Sequence, residues 1–369
     1  MSAMWSSGMR DTGIQGLAAL FIRADWRESP TGAEIGSILS AALHDNSPLV
    51  RMQAAHAAKA LHHNNDLAAT ATALGDLLVT EANSATRLIL LHHFTQITYG
   101  ASSETDAILR QLLEHIDFSP RTDEGRVIAG LLTFLALIHR TPFASKTIER
   151  WCGEAMANAD TVEIFAQCAR DYLSPASDEG RSEAFRLLTL AAQSCQDTWT
   201  RHSSAAETSP HVQTELQRAA ELAHDIAQQV YFASGAYNSD QQAAGPKPGP
   251  EHAAFAELAY PLLATCTAIP NPQSIHAAVE TLIFLAPLDE PRALQAIAKA
   301  IPRHSMYASD TITGNDVMSY LDRLVSENRQ LILDNSDNAK AFAHLLACFA
   351  AAGNSRALTL AYTFAEVFR

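Results

Sequence analysis

Residues 45–61, with the sequence DNSPLVRMQAAHAAKAL, constrain the fold more than any other part of the chain. Asn46 and Ser47 supply helix-capping side chains, and Pro48 suits the first helical turn, so the pattern predicts an unbroken helix to Leu61. One stripe of this helix is apolar, and its small residues allow a neighbouring helix to approach closely. The stripe consists of Val50, Ala54, Ala57, Ala58 and Leu61.

An arginine near the start of this helix indicates a repeated unit. Arg51 is a cation close to the positive end of the helix dipole, so we expect it to pair with Asp45 or with its counterpart in a neighbouring repeat. Looser copies of the arrangement surround Arg87, 36 residues after Arg51, and Arg126, 39 residues after Arg87. A further echo of the helix entry precedes Arg181.

The segment 45–61 resembles a HEAT repeat, in which an acidic turn leads into a second helix that begins with valine and arginine and continues through alanines. The resemblance implies an all-α protein, an α-solenoid of antiparallel helix pairs that serves as a binding scaffold, and it carries no catalytic residues. The pattern fades beyond Arg201. Residues 349–358 are more similar to the helix–turn–helix corner of a tetratricopeptide repeat.

Alanine and leucine dominate the apolar residues, and the long runs of alternating β-branched residues typical of strands are missing, so we expect almost no sheet. The predicted helices cover 14–25, 31–44, 48–63, 66–80, 84–99, 103–116, 123–139, 143–157, 160–173, 178–200, 208–233, 252–268, 272–286, 290–301, 314–330, 336–352 and 354–368. A segment rich in glycine and proline, 236–251, is predicted to be a flexible linker or loop. It follows a repeat array over 1–235 and precedes a second helical segment, 252–369, that we expect to continue the solenoid.

Composition excludes several classes of function. A net charge of −14, with 26 basic residues scattered among 40 acidic ones, argues against nucleic-acid binding. The apolar run 127–137 is too short to cross a bilayer, and no signal peptide is evident, so we expect a cytoplasmic protein that does not enter the membrane. The five cysteines lie singly in apolar stretches, which favours buried thiols. The prolines in 245–250 remove the amides that a phosphate loop needs, and no cofactor is predicted.

Histidine is abundant, with fifteen copies, and two adjacent pairs are candidate metal ligands. His62 and His63 come thirty residues before His92 and His93, so stacked helices would let the pairs face each other beside Asp66. Alternatively, His62 and His63 interact with a helix C-terminus, an interpretation that suits the mid-helix His92 and His93 less well. No His-Glu-x-x-His motif is present, and adjacent histidines point about 100° apart around a helix, so each pair offers at most one ligand to a site and no metal site is predicted.

Aromatic residues at predicted helix ends and loops are candidate anchors for a partner, with packing in the core as the alternative. These candidates are Trp5, Trp26, Tyr99, Phe143, Trp151, Trp199, Tyr237 and Tyr307.

Together these features predict a non-enzymatic, protein-binding scaffold that binds another protein or a larger multi-subunit assembly. One alternative is the C-terminal helical arm of a bacterial NTPase or defence assembly, an analogy at the level of the fold. The other is a helical-repeat enzyme with an acidic and aromatic concave groove. The helical pattern still runs at residues 358–369, and the start of the sequence lacks the polar capping helix of an isolated solenoid. We therefore expect either a fragment of a longer chain or an end that docks against a partner, and both favour an assembly.

Overall fold

The computed structural model describes residues 8–62, 66–203, 209–239, 247–301 and 311–365. Within these ranges every regular element is a helix and no strand occurs. The all-α prediction is therefore confirmed. The chain divides into an N-terminal unit, Met1–Ile148, and a C-terminal unit, Glu149–Arg369.

The N-terminal unit contains α1 Met9–Phe21, α2 Ala24–Arg27, α3 Pro30–Ala42, α4 Pro48–Ala55, α5 Ala58–His62, α6 Leu67–Thr80, α7 Ser84–Ile97, α8 Ser102–His115 and α9 Asp123–Phe134. A 3₁₀ turn, Thr98–Gly100, follows α7, and a π-helical turn, Leu135–His139, follows α9. The boundary between the units falls within α10, Pro142–Gly153.

The C-terminal unit contains α11 Ala159–Leu173, α12 Arg181–Ser203, α13 Pro210–Ser234, α14 Ala236–Ser239, α15 Glu251–Thr267, α16 Pro272–Leu285, α17 Glu290–Ala300, α18 Thr311–Glu327, α19 Arg329–Leu333, α20 Ser336–Ala351 and α21 Ser355–Ala365. A 3₁₀ turn, Ala286–Leu288, joins α16 to α17.

Side-chain caps explain why many helices begin where the sequence predicts. The side chains of Asp66, Asn83 and Thr122 accept backbone N–H groups at the starts of α6, α7 and α9. Asn271 and Asn335 do the same for α16 and α20. Each cap satisfies donors that have no partner within the helix, so the start is determined locally.

The unbroken helix expected from Pro48 to Leu61 is wrong, because the structure separates α4 from α5 at His56 and Ala57. The Ala57 N–H contacts the carbonyl of Ala54, three residues earlier instead of four. The Ala55 carbonyl lies 2.9 Å from Nε2 of His93 on α7. A carbonyl only accepts hydrogen bonds, so Nε2 must carry the proton and donate it. The break is thus stabilised by a residue from a different helix.

Within each unit, helices that are separated along the chain by one or two others pack against each other. In the N-terminal unit, α1 packs on α4, α4 on α7 and α7 on α9, while α6 packs on α8. In the C-terminal unit, one set runs through α11, α13, α16 and α18, and the other through α12, α15, α17 and α20. The predicted alanine stripe lies in the core, since Ala54, Ala57 and Ala58 are fully buried.

Three arginines near helix starts make the same backbone contact. Nη1 of Arg51 donates to the carbonyl of Asp45 at 2.7 Å, and Nη1 of Arg87 donates to the carbonyl of Glu81 at 2.9 Å. In the C-terminal unit, Arg181 donates to the carbonyl of the residue six positions earlier, at 3.1 Å. The helix entry noted in the sequence therefore recurs as a three-dimensional arrangement.

Two of these arginines also connect successive copies of the arrangement. Arg51 binds the Glu81 carboxylate through two hydrogen bonds, both 2.8 Å long. Arg87 binds Glu124 in the same two-pronged way, at 2.6 and 3.1 Å. Glu81 stands six residues before Arg87, as Asp45 stands six residues before Arg51. The carboxylate that pairs with Arg51 is thus the counterpart of Asp45, the second of the two expected alternatives. Arg126, by contrast, is exposed.

The linker predicted over 236–251 lies partly outside the described residues. Residues 236–239 form α14, and α15 begins at Glu251. Helices from both sides of this segment pack together, since α13 contacts α15 and α16. The boundary between the two compact units lies at residues 148 and 149, and the linker or loop over 236–251 stays a prediction.

Among the described residues, no single helix has the length and apolarity needed to cross a bilayer. The helical segment 123–139 and α10 reach that length only as a pair, across a sharp bend.

Candidate partner-binding surface

Three aromatic rings at the end of α13 form a cluster that we name the aromatic patch: Tyr231, Phe232 and Tyr237. Ring centroids lie 5.6 Å apart between Tyr231 and Phe232 and 5.7 Å apart between Phe232 and Tyr237. The Tyr231 and Tyr237 rings meet edge to face at 6.4 Å. Phe232 is 36% exposed and Tyr237 48% exposed, so the patch presents apolar surface to its surroundings.

The backbone turn after α13 brings the patch together. Gly235 adopts a left-handed conformation, with φ of 85°, which ends α13 and which a glycine adopts without strain. The Ser234 hydroxyl donates to the Tyr231 carbonyl at 2.7 Å and accepts the Ala236 N–H at 3.1 Å. The short helix α14 then places Tyr237 against the end of α13.

His252 on α15 supports the same turn. Its Nδ1 accepts the Gly249 N–H at 3.0 Å, so in the neutral ring Nε2 carries the proton. Nε2 lies 3.2 Å from the Ser234 carbonyl and satisfies the last residue of α13. The imidazole also packs edge to face on Phe284, with centroids 5.5 Å apart. The base of the patch is therefore held by a hydrogen bond from His252 on α15.

A cavity of about 740 Å³ adjoins the patch. Phe232 and Tyr237 supply its apolar wall, and Arg170, Asp171 and Glu251 contribute charges of both signs. Exposed aromatic rings anchor protein interfaces at low entropic cost, and a polar rim around them is typical of such surfaces. The arrangement suits binding of a protein side chain or segment.

The other aromatic candidates lie in different surroundings. Trp26 is 39% exposed and Tyr99 77% exposed. Phe143 and Trp199 are half-buried. Trp151 is buried, so its ring belongs to the core and does not form an exposed anchor. Trp5 and Tyr307 lie outside the described residues.

The candidate metal ligands lie in several different environments. His93 binds the Ala55 carbonyl, His92 is exposed, and His63 lies outside the described residues. Asp66 accepts the N–H groups of Ala68 and Ala69. In the parts of the chain that the structure describes, no group of three or more His, Cys, Asp or Glu side chains is arranged to hold a metal ion.

Burial determines the titration of two of these histidines. Desolvation lowers the pKa of His93, and the hydrogen bond to Ala55 offsets part of that decrease. Desolvation, together with the nearby His44, also lowers the pKa of His62. Burial thus favours the neutral form of both rings.

The cysteines do not resemble activated nucleophiles. Burial raises the pKa of the Cys195 thiol to about 12, and burial also raises the pKa of Cys152 and Cys266. A thiolate is the reactive form, so these thiols are inert at neutral pH. Cys348 Sγ lies 3.6 Å from His344 Nε2, but that nitrogen is 2.7 Å from the Ile301 carbonyl and donates there.

Sequence reasoning identified Tyr237 but missed Phe232 and Tyr231. The signal that points to them is the adjacent pair Tyr231-Phe232 just before Gly235. Neighbouring residues on a helix point about 100° apart, so two successive aromatic rings near a helix end cannot both face the core fully.

No protein-family model matches the chain, and no curated protein or solved structure matches it either, so the resemblance of 45–61 to a HEAT repeat stays a prediction.

Proposed function

We propose that the chain is a non-enzymatic scaffold of helical repeats that binds another protein or a larger assembly through the aromatic patch. The observation that carries the proposal is the exposure of two mutually packed rings, Phe232 and Tyr237, beside a cavity of about 740 Å³. Clustered aromatic residues of this kind supply most of the binding energy in many protein interfaces.

The repeated contacts support an α-solenoid of antiparallel, HEAT-like helix pairs as the scaffold. Hydrogen bonds connect residues 37 positions apart at Arg87 and Glu124, and 38 positions apart at His93 and Ala55. In the C-terminal unit, the Arg356–Asp322 pair spans 34 positions. These sequence separations are all close to the length of one repeat. Such contacts, with packing between helices that are separated by one or two others, are the pattern expected when each repeat touches only its neighbours.

The charges around the patch favour a protein over a nucleic acid. A phosphate backbone requires a cluster of cations, whereas Asp171 and Glu251 accompany Arg170 in the cavity wall. The chain as a whole carries a net charge of −14. A mixed rim of this kind complements a protein surface, where charges of both signs fix the orientation of the partner.

An affinity pull-down from the native host at moderate salt, followed by mass spectrometry, tests the proposal. We expect a stoichiometric protein partner that the double variant Phe232→Ser/Tyr237→Ser fails to retain. With the purified partner, calorimetry is expected to give a dissociation constant about thirtyfold weaker for this variant, corresponding to about 2 kcal/mol.

Leu333→Ser is the matched control, because Leu333 is another exposed apolar residue of the C-terminal unit, 39% accessible and outside the cavity wall. It is expected to bind the partner as the unmodified chain does. A partner retained equally by all three proteins, or the absence of any stoichiometric partner, would contradict the proposal.

A further inference from the structure

The N-terminal unit contains a second cavity, of about 450 Å³, that we name the cationic cavity. Its polar wall consists of Arg27, His56, Lys59, His93 and Gln96, and the remaining lining residues are apolar. These side chains come from α2, α5, α7 and the break between α4 and α5. A volume of this size accommodates a small organic ligand.

The charge of the wall has a single sign. Arg27 and Lys59 are cations, and none of the described residues that line the cavity is an aspartate or glutamate. The two segments of this unit outside the described residues, 1–7 and 63–65, also contain no acidic residue in their sequences. The wall thus carries two cations and no carboxylate, although the chain as a whole has a net charge of −14, and this favours an anionic ligand.

Two of these side chains have donor groups that the described residues leave unused. Other arginines of the unit bind carboxylates, as Arg51 binds Glu81 and Arg87 binds Glu124. Among the described residues, by contrast, neither the Arg27 guanidinium nor the His56 ring makes a hydrogen bond or ion pair. A planar guanidinium with free N–H groups matches two oxygens of a phosphate or carboxylate.

The remaining polar residues of the wall are held in place by neighbouring groups. Lys59 Nζ donates to Gln96 Oε1 at 2.9 Å, which holds the ammonium at the wall. His93 is fixed by its hydrogen bond to the Ala55 carbonyl. Because Lys59 is already held in place, its side chain loses little conformational entropy when a ligand binds.

We propose that the cationic cavity binds a small, soluble molecule that carries a phosphate group, with Arg27 and Lys59 as the principal phosphate ligands. A phosphate monoester fits this wall better than a carboxylate, because it offers three oxygens and close to two negative charges to several separate donors. The site is built from the N-terminal unit alone and does not depend on the function proposed for the aromatic patch.

Isothermal titration calorimetry of the full chain with inorganic phosphate and with glycerol phosphate, at constant ionic strength, tests the proposal. Saturable binding of one ligand per chain is expected. Arg27→Gln and Lys59→Gln should each weaken binding at least about tenfold, because each removes a charge-assisted hydrogen bond. The matched control is Arg110→Gln, an exposed arginine of α8 outside the cavity wall, which should bind like the unmodified chain.

Circular dichroism of each variant shows whether it retains its helical fold. The variant Arg27→Lys preserves the positive charge and should retain part of the affinity for phosphate. Absence of saturable phosphate binding by the folded, unmodified chain would overturn the proposal. Equal weakening by Arg110→Gln would also overturn it. Binding only to phosphatidylcholine vesicles that contain phosphatidic acid, and not to glycerol phosphate, would overturn the assignment to a soluble ligand.

Discussion

The two units use different interactions over similar sequence separations. In the N-terminal unit, the Arg51–Glu81 pair is largely buried, with 20% of the arginine side chain and 6% of the glutamate side chain exposed. In the C-terminal unit, the Arg356–Asp322 pair is open to solvent, with 48% and 38% exposed. Charge pairs at the surface contribute little to stability, whereas a buried charge depends strongly on its partner.

The core of the C-terminal unit contains a buried pair of aromatic rings. Phe185 on α12 and Phe255 on α15 pack edge to face, with centroids 5.5 Å apart, and both rings are buried. The comparison indicates that loss of the Arg51–Glu81 pair should destabilise the N-terminal unit more than loss of the Arg356–Asp322 pair destabilises the C-terminal unit.

The largest effect is expected from Phe255→Ala. The ring is fully buried, so its removal loses apolar contacts and leaves a cavity, and the free energy of unfolding should fall by about 3–5 kcal/mol. Urea denaturation, followed by fluorescence of Trp199 in a variant that retains only this tryptophan, measures the change. A loss below about 1 kcal/mol would show that α12 and α15 rearrange to fill the space.

Arg51→Met should destabilise the N-terminal unit by about 2–3 kcal/mol, because it leaves the buried Glu81 carboxylate without its two hydrogen bonds from the guanidinium. Burial by itself would raise the pKa of Glu81, but the hydrogen bonds from Arg51 and the Asn83 N–H outweigh it, so that the pKa is lowered. Urea denaturation monitored through Trp26 as the sole tryptophan measures the loss.

Arg356→Met provides the comparison for that experiment, since its exposed pair should contribute less than about 1 kcal/mol. The double variant Arg51→Met/Glu81→Leu removes both charges and should recover part of the stability that Arg51→Met loses. Equal losses for Arg51→Met and Arg356→Met would contradict the contrast between the units.

The smallest effect is expected from pH. Burial lowers the pKa of His62 and His93 below the ordinary value of 6.5. The unfolded chain therefore takes up protons more readily than the folded one below about pH 6.5, and the stability contributed by these rings is lost as the pH falls through this range. The N-terminal unit should therefore become less stable as the pH falls from 7.5 to 5.5.

The C-terminal unit contains groups with opposing effects in the same range. Burial lowers the pKa of His224, but burial and the carboxylates of Glu163 and Glu221 raise the pKa of Asp225 to about 6. The folded chain therefore binds a proton at Asp225 between about pH 6 and 3.8, which adds stability as the pH falls. Urea midpoints can be measured against pH in two variants, one with Trp26 and one with Trp199 as the sole tryptophan. The midpoint of the N-terminal unit should fall more steeply as the pH decreases, and an equal dependence on pH in both units would contradict this.

The sequence alone determined the helical class and most helix starts. Asp66, Asn83, Asn271 and Asn335 cap the helices that follow them, and such caps act through donors only two or three residues away. The stripe of small residues in 45–61 also lies in the core as its period predicts. These features depend on local geometry and on periodicity, both of which can be read from the order of residues.

Only the tertiary structure determined the break between α4 and α5, the partner of Arg51 and the aromatic patch. The break depends on His93, 38 residues from the Ala55 carbonyl that it binds, and Glu81 lies 30 residues from Arg51. The patch depends on the turn at Gly235 and on a hydrogen bond from His252. Contacts between distant residues are selected by packing and by the need to satisfy buried polar groups, and neither condition is encoded within a single helical segment.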